Sequence, residues 1–280
     1  MKRVFFHIHI WKTAGTTFLD ICRQNFGDAF RRDIMLIQNW FLTSDQLRWL
    51  LDYHGWLRCY SCHMLSGELP WEVDDTEVVG IAFVRNPVHR FVSSYTFQRG
   101  DTYRGGIATA NDFDAFCRKA LVETDNPFWR NGQTYILGGG RTESSVADIA
   151  ERIDRGRMVV LPMERFDECC ILLERLFPDE FADCSYTRQN VSRQKAPISA
   201  RQEATIAQYM DIDDQLVALA NDYLDTALDR LLPDSQTRGT TMDDFRRRCA
   251  RKQRRQMAAR VAGKIERTVK RTLDNVVRLF

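Results

Sequence analysis

VFFHIHIWKTAGTTFL, residues 4–19, is the stretch whose reading decides the fold. Its first half, residues 4–10, is an apolar run of β-branched and aromatic side chains, the composition of a buried strand. Lys12 and a small-residue turn follow, and hydroxyls at Thr13, Thr16 and Thr17 stand where a helix should begin. A strand that turns into a helix in this way can hold a phosphate. Turn N–H groups and the positive end of the helix dipole favour an anion, and Gly15 admits close approach of the backbone. Lys12 adds a full charge. The stretch is not a Walker A loop, G-x-x-x-x-G-K-[ST], because its lysine precedes its only glycine. ATP and GTP are therefore not the first ligands to expect.

The design repeats in TEVVGIAFVRNPVHRFVSSYTF, residues 76–97. Residues 78–84 read as a buried strand, Asn86 as a helix N-cap and Pro87 as the first helical residue. Arg85 then stands at the strand's C-terminal end, and Ser93 about two turns into the helix. An arginine fork and a hydroxyl can converge on a second phosphate. Two such sites on strand-to-helix turns suggest a ligand phosphorylated at both ends.

At this level of detail the chain resembles a known family. FFHIHIWKTAGTTF looks like the 5′-phosphosulfate loop, and FVRNPVHRFVSSY like the 3′-phosphate strand and helix, of sulfotransferases that use 3′-phosphoadenylyl sulfate (PAPS). The form is similar to the carbohydrate and heparan-sulfate O-sulfotransferase branch, whose loop usually reads HIPKTAGTT. NGQTYILGG (131–139) and VVLPMERFDECCILLERLF (159–177) resemble family segments in the same order. The chain departs from that pattern at Trp11, where the family usually has proline, and at Tyr135, where an arginine often follows Gln-Thr.

The resemblance implies a P-loop-like three-layer α/β fold and direct in-line transfer of a sulfuryl group from PAPS to a hydroxyl, on a carbohydrate acceptor, with no metal. Lys12 is expected to stabilise the bridging oxygen. Thr13, Ala14, Gly15, Thr16 and Thr17 are expected around the 5′ end, and Arg85 with Ser93 at the 3′-phosphate. Arg193 and Lys195, in the basic stretch TRQNVSRQK, are expected to reach phosphate or acceptor. His63, in CYSCHMLSGEL, resembles a family histidine followed by an apolar residue, and its ordinary pKa suits a general base. Arg99, Arg104 and Arg130 are candidates for an anionic sugar, on charge alone.

Other motifs carry less. Cys59, Cys62 and His63 spell the c-type haem pattern C-x-x-C-H, which would go with export to an oxidising compartment. His7 and His9 share one strand face but lack companion ligands in sequence, so structural roles are expected for both. The eight cysteines show no framework spacing and read as reduced thiols.

With 280 residues, 44% of them hydrophobic, the chain can bury a full core. No apolar run is long enough to span a membrane, and the first strand begins at once, without a signal-peptide pattern. A cytoplasmic enzyme is the simplest reading, with peripheral membrane contact as its variant. From Phe245 to Phe280 thirteen Lys and Arg face Glu266 and Asp274, a net +11, which leaves −9 on the rest of a chain of total charge +2. That contrast places the catalytic domain at 1–235, and a linker followed by a basic amphipathic helix at 236–280. Met257, Val261, Ile265, Val269, Leu273, Val276 and Phe280 recur at three- and four-residue steps. Such a helix docks on the domain, extends into solvent, or lies on an anionic membrane or polyanion. No nucleic acid is expected.

Strands at 4–10, 78–84 and 158–163 alternate with helices near 15–26, 87–99, 167–177 and 199–231, the pattern of an α/β fold with a parallel sheet. Two rival functions stand beside the sulfotransferase: a nucleotide kinase or other P-loop NTPase, and a polyanion- or membrane-binding protein acting through its tail.

Overall fold

The computed structural model describes residues 2–32, 41–100, 112–143, 145–188 and 198–277, without the side chains of residues 99, 100, 265, 266 and 268–277. Five strands form one parallel sheet: β1 (Lys2–Ile8), β2 (Phe30–Arg32), β3 (Cys59–Cys62), β4 (Thr76–Val84) and β5 (Met158–Pro162). Their order is β2-β3-β1-β4-β5. The helices are α1 (Gly15–Phe26), α2 (Ser44–Tyr53), α3 (Pro87–Gly100), α4 (Phe113–Arg118), α5 (Gly132–Leu137), α6 (Ser145–Asp154), α7 (Phe166–Leu176), α8 (Ala200–Ala207), α9 (Asp211–Leu231) and α10 (Ser235–Val277).

Alternation along each strand divides the apolar side chains between two cores. Phe5, Val79, Ile81 and Phe83 face α1 and α7, while Val4, Phe6, Ile8, Ala82 and Val84 share the other core with α2, α5 and α6. Helix α9 packs on the edge strand β5 and feeds both cores, through Leu216 and Ala220 on one side and Leu224 and Leu228 on the other. The result is a three-layer α/β arrangement. Helices α3, α4 and α8 close a third cluster around Phe91, Phe116 and Trp129.

The chain leaves β1 for β2 and β3 on one side and returns to β4 and β5 on the other. The crevice at the C-terminal ends of β1 and β4 is thus a topological switch point, where open α/β sheets hold ligands. The register pairs Ile8 with Ala82, so the loops after both strands emerge side by side. Strand β2 escapes sequence reading because it is three residues long, and two of them are exposed arginines.

The tail corrects one expectation. Residues 236–244 are not a linker but the opening turns of α10. Phe245 is fully buried in the α1/α7 core, with Met242 and Cys249 packed against it. Arg248 pairs with Glu174 and Asp183, and Lys252 donates to the Ser185 carbonyl and to Gln24. The first part of the tail therefore belongs to the domain. Beyond it Met257 and Val261 are 60% and 59% exposed. No helix among the described residues is long and apolar enough to cross a membrane.

Candidate active site

Two loops meet at the switch point. In the first, Lys12 and Ala14 both have left-handed backbone, φ 67° and 66°, although neither is glycine. Each such residue costs about 1–2 kcal/mol, and strain of this kind clusters at ligand sites. Ala14 is the N-cap of α1 and supplies no side-chain cap. The N–H groups of Lys12, Thr13, Ala14 and Gly15 donate to no acceptor among the described residues. A helix N-terminus with uncapped donors and full positive charges beside it suits an anion.

Gly15 is required here by its neighbour. A Cβ at position 15 would fall 1.9 Å from Nε2 of His9. The loop's hydroxyls divide: Thr13 is buried and its Oγ1 donates to the Ile10 carbonyl at 2.9 Å, so it braces the loop from inside rather than facing a ligand. Of Thr13, expected around the 5′ end, the hydroxyl is thus committed within the loop and the N–H is left toward the turn. Thr16 lies exposed on the first turn of α1, and Thr17 is buried.

The second loop supplies Arg85. Its Nη1 donates to the Lys12 carbonyl at 3.1 Å, joining the two turns directly. Its Nε is buried and has no partner among the described residues. Burial holds its pKa below the usual guanidinium value, against the opposing pull of Glu164. Lys12 is lowered too, by burial first and by Arg85 second, and its Nζ lies 4.3 Å from the centroid of the Phe97 ring. Neither cation is in an ion pair among the described residues. An anion placed between them would relieve both the desolvation and the mutual repulsion.

Asn86 caps α3 by accepting from the N–H of His89 at 3.0 Å, and Pro87 opens the helix, as the sequence indicates. Ser93 is one turn before Phe97 and on the same face, the face that meets Lys12. Its hydroxyl makes no hydrogen bond among the described residues.

His63 follows β3, and its ring stacks on His9 with centroids 3.9 Å apart. Its Nδ1 lies 2.6 Å from the His9 carbonyl oxygen. A carbonyl can only accept, so Nδ1 carries a proton, and in the neutral ring Nε2 is then the acceptor-type nitrogen. That is the tautomer of a general base. His9 in turn stacks on His7, whose Nδ1 lies 2.8 Å from Ser61 Oγ. Burial, then His63, hold His9 at a pKa of about 3, and burial holds His7 well below its ordinary value. These two rings stay neutral and structural. Cys59 and Cys62 are buried in β3 and unavailable for haem attachment. No group of three or more His, Cys, Asp or Glu among the described residues could hold a metal.

Several supporting residues were invisible as such in the sequence. Gln133 clamps the backbone of Arg85, accepting from its N–H at 2.8 Å and donating to its carbonyl at 2.9 Å. Asp213, fully buried, accepts from the N–H groups of Gln133 and Thr134, at 3.2 and 2.7 Å, and faces the buried Arg90 at 3.8 Å. Asn131 returns the favour by accepting from the N–H groups of Ile212 and Asp213 at the start of α9. Gln133 stood in the quoted NGQTYILGG segment, but Asp213 reads only as an acid in a helix's first turn. Arg130 is committed elsewhere, to the Leu121 carbonyl and the Tyr209 ring. Arg104, Arg193 and Lys195 lie outside the described residues, as does the side chain of Arg99.

No protein-family model matches the chain. It is 29% identical over 130 residues to an uncharacterized protein of Archaeoglobus fulgidus, a match covering 44% of this chain and 51% of the relative. The chain thus aligns with about half the length of that curated relative.

Proposed function

We propose that this protein is a PAPS-dependent O-sulfotransferase with a P-loop-like nucleotide site at the β1/β4 switch point. The observation that carries the reading is the contact between Arg85 Nη1 and the Lys12 carbonyl, which brings two cation-bearing strand-to-helix turns together. A ligand with phosphate groups at two positions fits the donors present. The uncapped N–H groups from Lys12 to Gly15, with the Lys12 ammonium, suit the 5′ end, and the unpartnered Nε of Arg85 with the Ser93 hydroxyl suits the 3′ phosphate.

When bound, PAPS supplies an activated sulfuryl group on a phosphate leaving oxygen. Lys12 would neutralise the charge on that oxygen. His63 would take the acceptor hydroxyl's proton on Nε2, with the His9 carbonyl holding Nδ1–H and stabilising the charged ring. The strained loop holds its donors in place before the ligand arrives, so little reorganisation is left for the reaction. A carbohydrate acceptor follows from the resemblance of the motifs.

The test is calorimetric titration with 3′-phosphoadenosine 5′-phosphate (PAP), the expected product, beside ADP and ATP with Mg²⁺. Metal-independent PAP binding that weakens at least about tenfold in Arg85→Ala is expected. Preference for ATP with Mg²⁺ would transfer the site to a nucleotide kinase. In a turnover assay Lys12→Ala should lose about 10²–10³ in kcat, and His63→Ala should lose rate while keeping PAP affinity.

A further inference from the structure

Beside the phosphate loop the chain builds an aromatic shelf that donor binding does not use. Trp11, immediately before Lys12, is 52% exposed. Its ring stacks on Phe128, with centroids 6.2 Å apart and planes 22° apart, and meets His63 nearly edge-on at 5.7 Å. Phe128 is buttressed by Tyr135 at 5.4 Å and Phe41 at 6.1 Å. Its backbone is held as well: the carbonyl accepts from buried Arg90 at 3.2 Å, and the N–H donates to Asn126 at 3.0 Å.

A half-exposed tryptophan held by two neighbours is an anchor in waiting, since such rings offer large area at small entropic cost. Its position is specific. The shelf touches the His63 ring, while the Lys12 ammonium lies over the Phe97 ring on α3. A ligand lying on Trp11 is therefore a neighbour of the His63 ring.

We infer that Trp11 and Phe128 form the acceptor subsite, seating the C–H face of a saccharide ring so that one of its hydroxyls meets His63. The inference rests on the sulfotransferase reading for the role of that hydroxyl, but the binding itself does not depend on it. A pyranose has one apolar face of polarised C–H groups, matched to the negative face of an indole, and a polar rim that stays in water on an open shelf. A planar phenolic acceptor would instead be expected in an enclosed apolar pocket. Both departures from the family pattern, Trp11 and Tyr135, fall in this cluster.

The test follows the Trp11 indole N–H signal by NMR, assigned through its loss in Trp11→Phe. Cellotetraose, chitotetraose and an unsulfated glucuronate/N-acetylglucosamine tetrasaccharide are added in turn at about 10 mM, where even a millimolar site fills. At least one should shift that signal. Affinity for it, read from the remaining shifted signals, should fall at least about tenfold in Trp11→Ala and largely recover in Trp11→Phe. PAP affinity should stay within about twofold throughout. No shift with any of the three, undiminished saccharide binding in Trp11→Ala, or a shift with 2-naphthol alone would each overturn the shelf. Loss of PAP binding in the wild-type protein, with saccharide binding intact, would overturn the donor reading and leave the shelf standing.

Discussion

The imidazole of His9 fills the space in which a side chain at Gly15 would begin: a Cβ there would lie 1.9 Å from Nε2 and 2.0 Å from Cδ2 of that ring. The same ring carries His63 on its other contact, so the glycine that starts α1 sets the seat of the proposed base. Gly15→Ala must push His9 aside. Overpacking of this kind costs about 1–3 kcal/mol, and the variant should lose turnover as His63 shifts. Adding His9→Ala should recover part of the stability lost by Gly15→Ala, a coupling that urea unfolding of the four species measures. Strict additivity would show that the two positions do not compete for space.

Arg85 is held at its backbone, so its aim depends on residues that need not touch a ligand. Gln133→Ala leaves the Arg85 N–H and carbonyl without their partner, at a cost of about 1–3 kcal/mol. PAP affinity should fall about tenfold with it, by calorimetry. Asp213→Ala goes further, because it leaves Arg90 buried and unpaired, and should cost about 3–5 kcal/mol in urea unfolding. Wild-type PAP affinity in Gln133→Ala would mean that Arg85 is oriented by its side-chain contacts alone.

Acid should unfold the protein partly through the histidine stack. The folded pKa of His9 is pushed down to about 3, and that of His7 well below its ordinary value, whereas in the unfolded chain both titrate near their ordinary 6.5. Between those limits the unfolded state binds more protons, so stability is fully present above about pH 6.5 and declines as pH falls. Each histidine contributes a slope of about 1.4 kcal/mol per pH unit within that window. Replacing both with glutamine should flatten the stability profile between pH 6 and 4. An unchanged slope would place the acid sensitivity elsewhere.

The start of α10 should behave as part of the domain. Phe245→Ala removes a fully buried ring and should cost about 3–5 kcal/mol. A chain ending after residue 253 should unfold at nearly the full-length temperature, and one ending after residue 234 should not, by scanning calorimetry. Equal stability of the two truncations would restore the boundary read from charge alone.

Much of this was legible in the sequence, and for a local reason. The run 4–10, the small-residue turn and the hydroxyls after it fix strand, turn and helix through short-range sterics and hydrogen bonding, and α1 spans residues 15–26 as the pattern indicates. Asn86 and Pro87 likewise mark the start of α3, because capping is a property of adjacent residues. What the tertiary structure decided is which of these pieces meet. That Arg85 reaches the Lys12 carbonyl follows from β1 and β4 lying side by side, a pairing set by burial on both sheet faces. That Asp213 holds Gln133, or that Phe245 is core rather than tail, depends on contacts between segments far apart in the chain. Charge composition misplaced the domain boundary because it counts solvent-facing side chains, while one buried phenylalanine decides where the helix docks.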